Sequence, residues 1–283
     1  MSLERSTLHV LPKKVRPLSG RKRMTPPLRR GVYLLPNLVT TGGLFCGFFS
    51  VISTFREDYL IAAIAVLVAL VCDALDGRIA RLTHTTSSFG VQYDSLSDVI
   101  AFGVAPGVLA YRWALETWGA WGWLAASLYV TCGALRLARF NVQVDTVDKQ
   151  HFVGLPIPAA AGVVATTILM YYFLGGEGAT NKHITLLLLI YALGGLMVST
   201  VPYYSFKDLH LRNRQPFWWL IAGIIVVQVT IAEPQLMLFS IFSLYALSGP
   251  VVMLLRLRSS TNAPPLGLAP PNRGLDSDKE SSL

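Results

Sequence analysis

The chain has 283 residues, of which 53% are hydrophobic and only 14% are charged, and its formal net charge at pH 7 is +8. Soluble domains usually carry about 25% charged residues, so this composition excludes an ordinary soluble domain and predicts an all-α integral membrane protein. The positive charge does not indicate nucleic-acid binding, because no basic run is interleaved with exposed aromatic residues.

The chain begins with a basic arm, residues 1–34, which we expect to be mostly disordered and to lie along anionic lipid in the cytoplasm. Apolar runs long enough to cross a bilayer follow, and they predict about eight transmembrane helices. These runs are residues 36–55, 59–82, 94–115, 119–139, 155–174, 184–203, 216–233 and 236–257. They form one transmembrane domain, residues 35–257. A tail rich in Pro, Ser and Gly, residues 258–283, follows and is predicted to be disordered and cytoplasmic.

The basic residues predict the orientation of these spans. With the N-terminus in the cytoplasm, all but three of the 24 Lys and Arg residues fall in cytoplasmic segments. The exceptions are Arg56, Arg112 and Lys182. Because cytoplasmic loops carry the excess of Lys and Arg in membrane proteins, both termini are predicted to be cytoplasmic.

Four aspartates lie toward the cytoplasmic ends of the second and third predicted spans. Asp73 and Asp76 are three residues apart, and Asp94 and Asp98 are four apart, so each pair projects from one face of its helix. The connection between the two spans is short and polar. We therefore expect the two helices to pack antiparallel and to bring the two pairs of carboxylates together.

Carboxylates that face one another at membrane depth need compensation, since an Asp there costs roughly 2.5–3.5 kcal/mol. All-oxygen ligands at this density suit Mg²⁺, Mn²⁺ or Ca²⁺. Four carboxylates are enough for two ions about 3.5–4 Å apart, which can stabilise phosphate oxygens while a hydroxyl attacks. Nearby, Gly77 and Ala80 leave room for a bulky ligand, and Arg81 places a cation where a diphosphate could lie. Gly90 removes a side chain just before the second pair.

The spacing of these residues, D-G-x₂-A-R-x₈-G-x₃-D-x₃-D with one more Asp three residues ahead, resembles the signature of the CDP-alcohol phosphotransferase family. The matching residues are Asp73, Asp76, Gly77, Ala80, Arg81, Gly90, Asp94 and Asp98. The resemblance covers roughly residues 35–257 and implies a CDP-alcohol phosphotransferase core within the transmembrane domain.

Further segments resemble the bacterial, membrane-spanning phosphatidylserine synthases within this family. They are LPNLVTTGGLFCGFFSV (35–51), YDSLSDVIAFGVAP (93–106), ALRLARFNV (134–142) and HFVGLPIPAAAG (151–162). The resemblance implies a multi-pass protein of the bacterial inner membrane with its active site toward the cytoplasm. Its substrates would be CDP-diacylglycerol and L-serine, its products phosphatidylserine and CMP, and its cofactor Mg²⁺ or Mn²⁺. Contact with membrane lipids and a homodimer are implied as well.

The resemblance also implies roles for individual residues. Asp73, Asp76 and Asp94 would be metal ligands, and Asp98 would be the general base, close enough to serve a metal as well. The base is chemically sensible, because a positioned carboxylate can take the proton of an alcohol as the new bond forms. The nucleotide and its diphosphate would lie near Asn37, Thr40, Gly77, Ala80 and Arg81.

Serine carries a carboxylate and an ammonium group, and the inner end of the fourth span offers partners for the carboxylate. Arg136 and Arg139 are three residues apart there, and a guanidinium is a good partner for a carboxylate. Asn141 would add a hydrogen bond. The alternative is that both arginines only mark the cytoplasmic boundary of the membrane.

Two other functions remain open on the sequence. The first is the same chemistry with glycerol 3-phosphate, inositol or inositol phosphate as the acceptor, which the core motif does not separate from serine. The segments RLARFN and FVGLPIPAAAG favour serine. The second is an ion transporter that uses the aspartates as its ion site. No later span carries an acidic residue in its interior and no inverted repeat is visible, which argues against transport.

Overall fold

The computed structural model describes residues 34–83, 87–143, 152–180, 183–203, 228 and 232–261. Within these ranges the regular secondary structure is helical except for one pair of two-residue strands, and turns and short connections join the elements. The helices are α1 (Leu34–Phe55), α2 (Tyr59–Leu82), α3 (Ser88–Trp118), α4 (Ala120–Gln143), α5 (Ile157–Phe173), α6 (Ile184–Val198) and α7 (Pro234–Thr261). The strands are β1 (Phe152–Val153) and β2 (Pro202–Tyr203).

Four of these helices, α1, α2, α3 and α7, are long and apolar enough to cross a membrane, and α5 and α6 are apolar but shorter. For the described residues this confirms a helical fold with four candidate membrane spans. The first six predicted spans and the eighth each coincide with one of the helices. The seventh, residues 216–233, falls almost wholly outside the described residues, as do most of the predicted arm and tail. The count of about eight spans and the cytoplasmic termini therefore stay predictions.

Helix α3 changes its winding along its length. It is α-helical at first, then passes through a π-helical turn, an α-helical turn, a second π-helical turn and a final 3₁₀ turn. The five stretches are Ser88–Asp98, Val99–Val104, Ala105–Ala110, Tyr111–Leu115 and Glu116–Trp118. Pro106 cannot donate the α-helical hydrogen bond to the carbonyl of Phe102. The hydroxyl of Tyr129 on α4 donates to that carbonyl instead, at 3.1 Å.

Helix α1 lies along α2 and also contacts α3, so it touches both helices that carry the aspartates. Small residues allow a close approach. A Cβ built on Gly47 of α1 would lie 2.7 Å from the Cα of Ala101 on α3, which leaves no room for a side chain. Helix α2 itself contacts α3 beyond Asp98, along Val99–Ala110. The sequence predicted direct packing of these two helices and missed the part that α1 plays beside the aspartates.

The strand pair joins the segment before α5 to the segment after α6 in an antiparallel ladder. Gly154, directly after β1, has a φ of +85°, and a Cβ there would lie 2.5 Å from the carbonyl oxygen of Met197. Only glycine adopts this positive φ readily and has no Cβ to clash with that oxygen. Tyr203 in β2 is buried and donates to the carbonyl of Ala246 on α7 at 3.0 Å. The pair thus holds α5, α6 and α7 together at one end.

Candidate active site

Three of the four aspartates converge. One carboxylate oxygen from each of Asp73, Asp76 and Asp94 lies within 4.8 Å of the other two. Asp76 is buried, and the other two are half-buried. Oxygen ligands on one cation with bonds of 2.0–2.6 Å lie up to about 5 Å apart, so a single divalent cation can contact all three carboxylates.

The fourth aspartate, Asp98, lines the same small cavity as the other three but is not part of the three-residue cluster. The cavity has a volume of about 10 Å³, which is the room that about one water molecule or ion takes. Among the described residues, those that line it include no Lys, Arg or His. No basic side chain therefore lines the space between these carboxylates, which is the setting in which a metal ion supplies the missing charge.

A cleft of about 190 Å³ opens beside the aspartates, and Asp76 and Asp94 form part of its wall. All five residues that the sequence resemblance assigns to the nucleotide line it: Asn37, Thr40, Gly77, Ala80 and Arg81. Gly77 is exposed, and a Cβ built on it would meet nothing within 4 Å, so it borders open space. The cleft has room for a ligand group directly next to the aspartate cluster.

The side of the cleft away from Asp76 and Asp94 carries groups that attract an anion. Arg81 is exposed, and its Nε donates to the carbonyl of Gly77 at 2.9 Å, which orients the guanidinium. The N-terminus of α3 reaches the same cleft. Its N-cap is Ser87, whose side chain accepts a hydrogen bond from the backbone N–H of Gly90 at 3.0 Å. A helix N-terminus carries partial positive charge, so the cleft suits phosphate groups.

Helix α1 supplies polar contacts that the sequence did not predict. Thr40 Oγ1 donates to Asp76 Oδ2 at 2.8 Å, and Ser97 Oγ donates to the carbonyl of Thr40 at 3.3 Å. A Cβ on Gly90 would lie 3.2 Å from Asn37 Oδ1, so Gly90 permits the close approach of α1. Ser97 was missed in the sequence. Its position between Asp94 and Asp98 was the available signal.

The three residues predicted to hold the acceptor lie in different surroundings. Arg136 is half-buried and interacts electrostatically with Asp98, and its buried Nε has no hydrogen-bond partner among the described residues. Arg139 is exposed. Asn141 donates from Nδ2 to Ser95 Oγ at 3.0 Å. Ser95 is the residue that follows Asp94 in the chain. Of the two arginines, Arg136 is the one that the structure shows to interact electrostatically with an aspartate of the candidate site.

Residues 33–198 match the family model described as CDP-alcohol phosphatidyltransferase. Three similar proteins share the name CDP-diacylglycerol--serine O-phosphatidyltransferase. The first, from Helicobacter pylori (strain ATCC 700392 / 26695), is 46% identical over 179 residues, which are 62% of this chain and 74% of that protein. The second, from Helicobacter pylori (strain J99 / ATCC 700824), is 37% identical over 234 residues, 82% of this chain and 97% of that protein. The third, from Bacillus subtilis (strain 168), is 32% identical over 185 residues, 65% of this chain and 98% of that protein.

Proposed function

Because this chain belongs to the CDP-alcohol phosphatidyltransferase family, we propose that it transfers the phosphatidyl group of CDP-diacylglycerol to the hydroxyl of L-serine, giving phosphatidylserine and CMP. The convergence of Asp73, Asp76 and Asp94 beside a cleft suited to phosphate is the observation that carries this proposal. The names of the similar proteins support serine as the acceptor.

The aspartate cluster fits Mg²⁺ or Mn²⁺. Its donors are all carboxylate oxygens, which such hard cations prefer, and no basic side chain among the described residues lines its cavity. Asp73, Asp76 and Asp94 would hold a first ion, and Asp98 on the same cavity wall would help to hold a second. A bound ion would stabilise negative charge that builds on the phosphate oxygens.

The cleft would hold the nucleotide end of CDP-diacylglycerol. Arg81 and the N-terminus of α3 bind the diphosphate through charge and backbone N–H groups. Gly77 keeps that wall free of a side chain, and Asn37 offers an amide for hydrogen bonds to the cytidine. Thr40 and Ala80 complete the walls and exclude water from one side of the diphosphate. The phosphorus that bears the diacylglycerol is thereby held next to the aspartates.

Asp98 acts as the general base in this proposal. It accepts the proton of the serine hydroxyl while the serine oxygen attacks the phosphorus that bears the diacylglycerol. The bond from that phosphorus to the oxygen of CMP breaks, and CMP leaves with the electron pair. Arg136, which interacts electrostatically with Asp98, binds the serine carboxylate and so points the hydroxyl toward the base. Asn141 contributes a hydrogen bond at the inner end of α4, and Arg139 gives weaker, longer-range attraction.

The proposed site belongs to the cytoplasmic side of the bacterial inner membrane, where serine is available and CMP is released. The distribution of basic residues and the bacterial origin of the similar proteins support this location. A homodimer surrounded by membrane lipids is the assembly we propose, on the sequence resemblance alone.

A panel of acceptors tests the proposed function. Purified protein in detergent micelles that contain CDP-diacylglycerol and Mn²⁺ is given L-serine, glycerol 3-phosphate, inositol or inositol phosphate, and CMP release is measured. We expect release with L-serine only, and none after chelation of the metal. Release with another alcohol would replace serine as the acceptor. Cation flux through proteoliposomes without any CMP release would instead favour a transporter.

A further inference from the structure

We propose that Thr40 and Ser97 form a hydroxyl bridge that positions the aspartates of the metal site. In this bridge Thr40 orients the Asp76 carboxylate, and Ser97 holds the aspartate-bearing turn of α3 against α1. The inference deepens the proposed function and rests on it in one respect, since it takes the aspartate cluster to be a cation site.

The bridge joins three helices through one residue of α1. The Thr40 hydroxyl donates to Asp76 Oδ2 on α2 at 2.8 Å, and the Thr40 carbonyl accepts from Ser97 Oγ on α3 at 3.3 Å. Thr40 and Ser97 are 6% and 5% exposed, and both line the cavity that the four aspartates share. The two helices that bring carboxylates to the cluster are therefore tied to the same residue, inside the site.

The Thr40 hydroxyl has one hydrogen and two acceptors within reach. Asp76 Oδ2 lies at 2.8 Å and the carbonyl oxygen of Pro36 at 3.1 Å. A hydrogen bond to an ionised carboxylate is shorter and stronger than one to a neutral carbonyl, so the hydrogen points to Asp76 when that carboxylate is charged, as cation binding requires. This bond, together with one that Asp76 accepts from the backbone N–H of Gly77, orients the carboxylate and leaves its remaining lone pairs for the cation.

Ser97 is distinguished by the direction of its hydrogen bond. Helical Ser and Thr side chains commonly donate to the carbonyl four residues earlier in their own helix. Ser95 on α3 does so to Val91 at 3.0 Å, and Thr41 on α1 does so to Asn37 at 2.7 Å. The Ser97 hydroxyl instead crosses to α1. Ser97 lies between Asp94 and Asp98 on α3. This contact therefore sets the position of both aspartates, along the axis of α3, relative to Asp76.

Binding of Mn²⁺ to the purified full-length protein, without substrates, tests the bridge. Free Mn²⁺ is measured by electron paramagnetic resonance. Thr40→Val keeps the shape of the side chain and removes the hydroxyl, and Thr40→Ser keeps the hydroxyl. Thr54→Val is the matched control on the same helix, because the Thr54 hydroxyl is fully buried and donates at 2.8 Å to the carbonyl of Ser50.

Removing a hydrogen bond behind a metal ligand typically weakens metal affinity by 10–100-fold, so we expect Thr40→Val to raise the Mn²⁺ dissociation constant about tenfold or more. Thr40→Ser and Thr54→Val should stay within about twofold of the unmodified protein, and Ser97→Ala should weaken binding severalfold. If Thr40→Val does not fold, Ser97→Ala and Thr40→Ser decide the question.

Unchanged Mn²⁺ affinity in both Thr40→Val and Ser97→Ala overturns the bridge. An equal loss in Thr54→Val also overturns it, since any buried hydroxyl of α1 would then act alike. These outcomes are separable from failure of the proposed function. CMP release with an acceptor other than serine changes the reaction and leaves the bridge intact, whereas an unmodified protein that binds no Mn²⁺ removes the cation site and the bridge together.

Discussion

Asp98 differs from the other three aspartates in its surroundings. Asp94, one turn earlier on α3, belongs to the three-residue cluster, whereas Asp98 lies on the cavity wall outside it and interacts with Arg136. A carboxylate that binds a metal less tightly accepts a proton more readily. The geometry thus supports metal binding by the three-residue cluster and proton transfer by Asp98.

We expect Asp98→Asn to lower serine-dependent CMP release by about 100-fold or more, since a general base contributes about 10²–10⁴-fold to a rate. Its affinity for a first Mn²⁺ ion and for CDP-diacylglycerol should change little, because the three-residue cluster is intact. Only the second ion, which Asp98 helps to hold, should bind more weakly. Asp94→Asn is the comparison variant and should weaken Mn²⁺ binding clearly. Steady-state kinetics and Mn²⁺ titration of both variants measure this. Equal losses of affinity for the first Mn²⁺ ion would place Asp98 among its ligands and remove it as the base.

The two arginines of α4 form a natural pair for testing the acceptor site. Arg136 is half-buried and interacts electrostatically with Asp98, and Arg139, one turn further on, is exposed. We expect Arg136→Gln to raise the KM for serine about tenfold or more, because a charge-assisted hydrogen bond to the carboxylate is lost. Arg139→Gln should stay within about threefold, as expected for an exposed charge. A similar rise in both variants would mean that the arginines act only through overall positive charge.

Residue spacing predicted much of the candidate site but not the contacts between helices. The three-residue interval between Asp73 and Asp76 puts both on one face of α2. The short connection to α3 predicted that Asp94 returns to them, and the structure brings these carboxylates together. The hydrogen bonds of Thr40 and Ser97 depend on how far α1 is shifted along α2 and α3. No pattern within one helix encodes that shift, so these contacts appear only in the folded structure.

Hydropathy predicted whole helices better than their winding. The predicted bounds of α2, residues 59–82, agree with the structure. An uninterrupted apolar run, residues 59–72, marks the first part of the helix, and the polar connection after Leu82 marks its end. The π-helical turns of α3 were not predicted. They accompany Pro106 and close packing against α4, where the Tyr129 hydroxyl meets the carbonyl of Phe102. Such a change in winding is decided by tertiary contacts rather than by local composition.

The approach of α1 to α3 at Gly47 controls the geometry of the site at the level of whole helices. A Cβ on Gly47 would lie 2.7 Å from the Cα of Ala101, which follows Asp98 by three residues, so Gly47→Ala must move one helix relative to the other. We expect kcat to fall by about tenfold or more, since small misplacements of catalytic groups are costly. The KM for Mn²⁺ should rise as well.

Gly42→Ala is the control for this prediction. It lies on the same helix, and a Cβ there would meet nothing within 4 Å. The control should retain near-normal activity and thermal stability. Comparable damage in both variants would show that α1 needs glycine for its backbone rather than for its contact with α3.

At the scale of the whole molecule, charge distribution governs orientation. Arg112 is one of the three basic residues predicted to lie on the non-cytoplasmic side of the membrane. It is paired with Glu116 at 2.6 Å and with Glu57 at 3.7 Å. The positive-inside rule counts Lys and Arg rather than net charge, so these ion pairs leave the predicted orientation unchanged, and it stays a prediction.

Reporter fusions test both this orientation and the number of spans. Alkaline phosphatase is active only outside the cytoplasm, and green fluorescent protein fluoresces when it folds inside. With eight spans, phosphatase fused after Gly178, between α5 and α6, should be active, and phosphatase fused after Leu283 should be inactive, with the opposite pattern for the fluorescent reporter. An active phosphatase at Leu283 would mean that residues 216–233 do not cross the membrane. Because α7 would then run in the reverse direction, its packing against α5 and the buried contact of Tyr203 with Ala246 would have to be rebuilt.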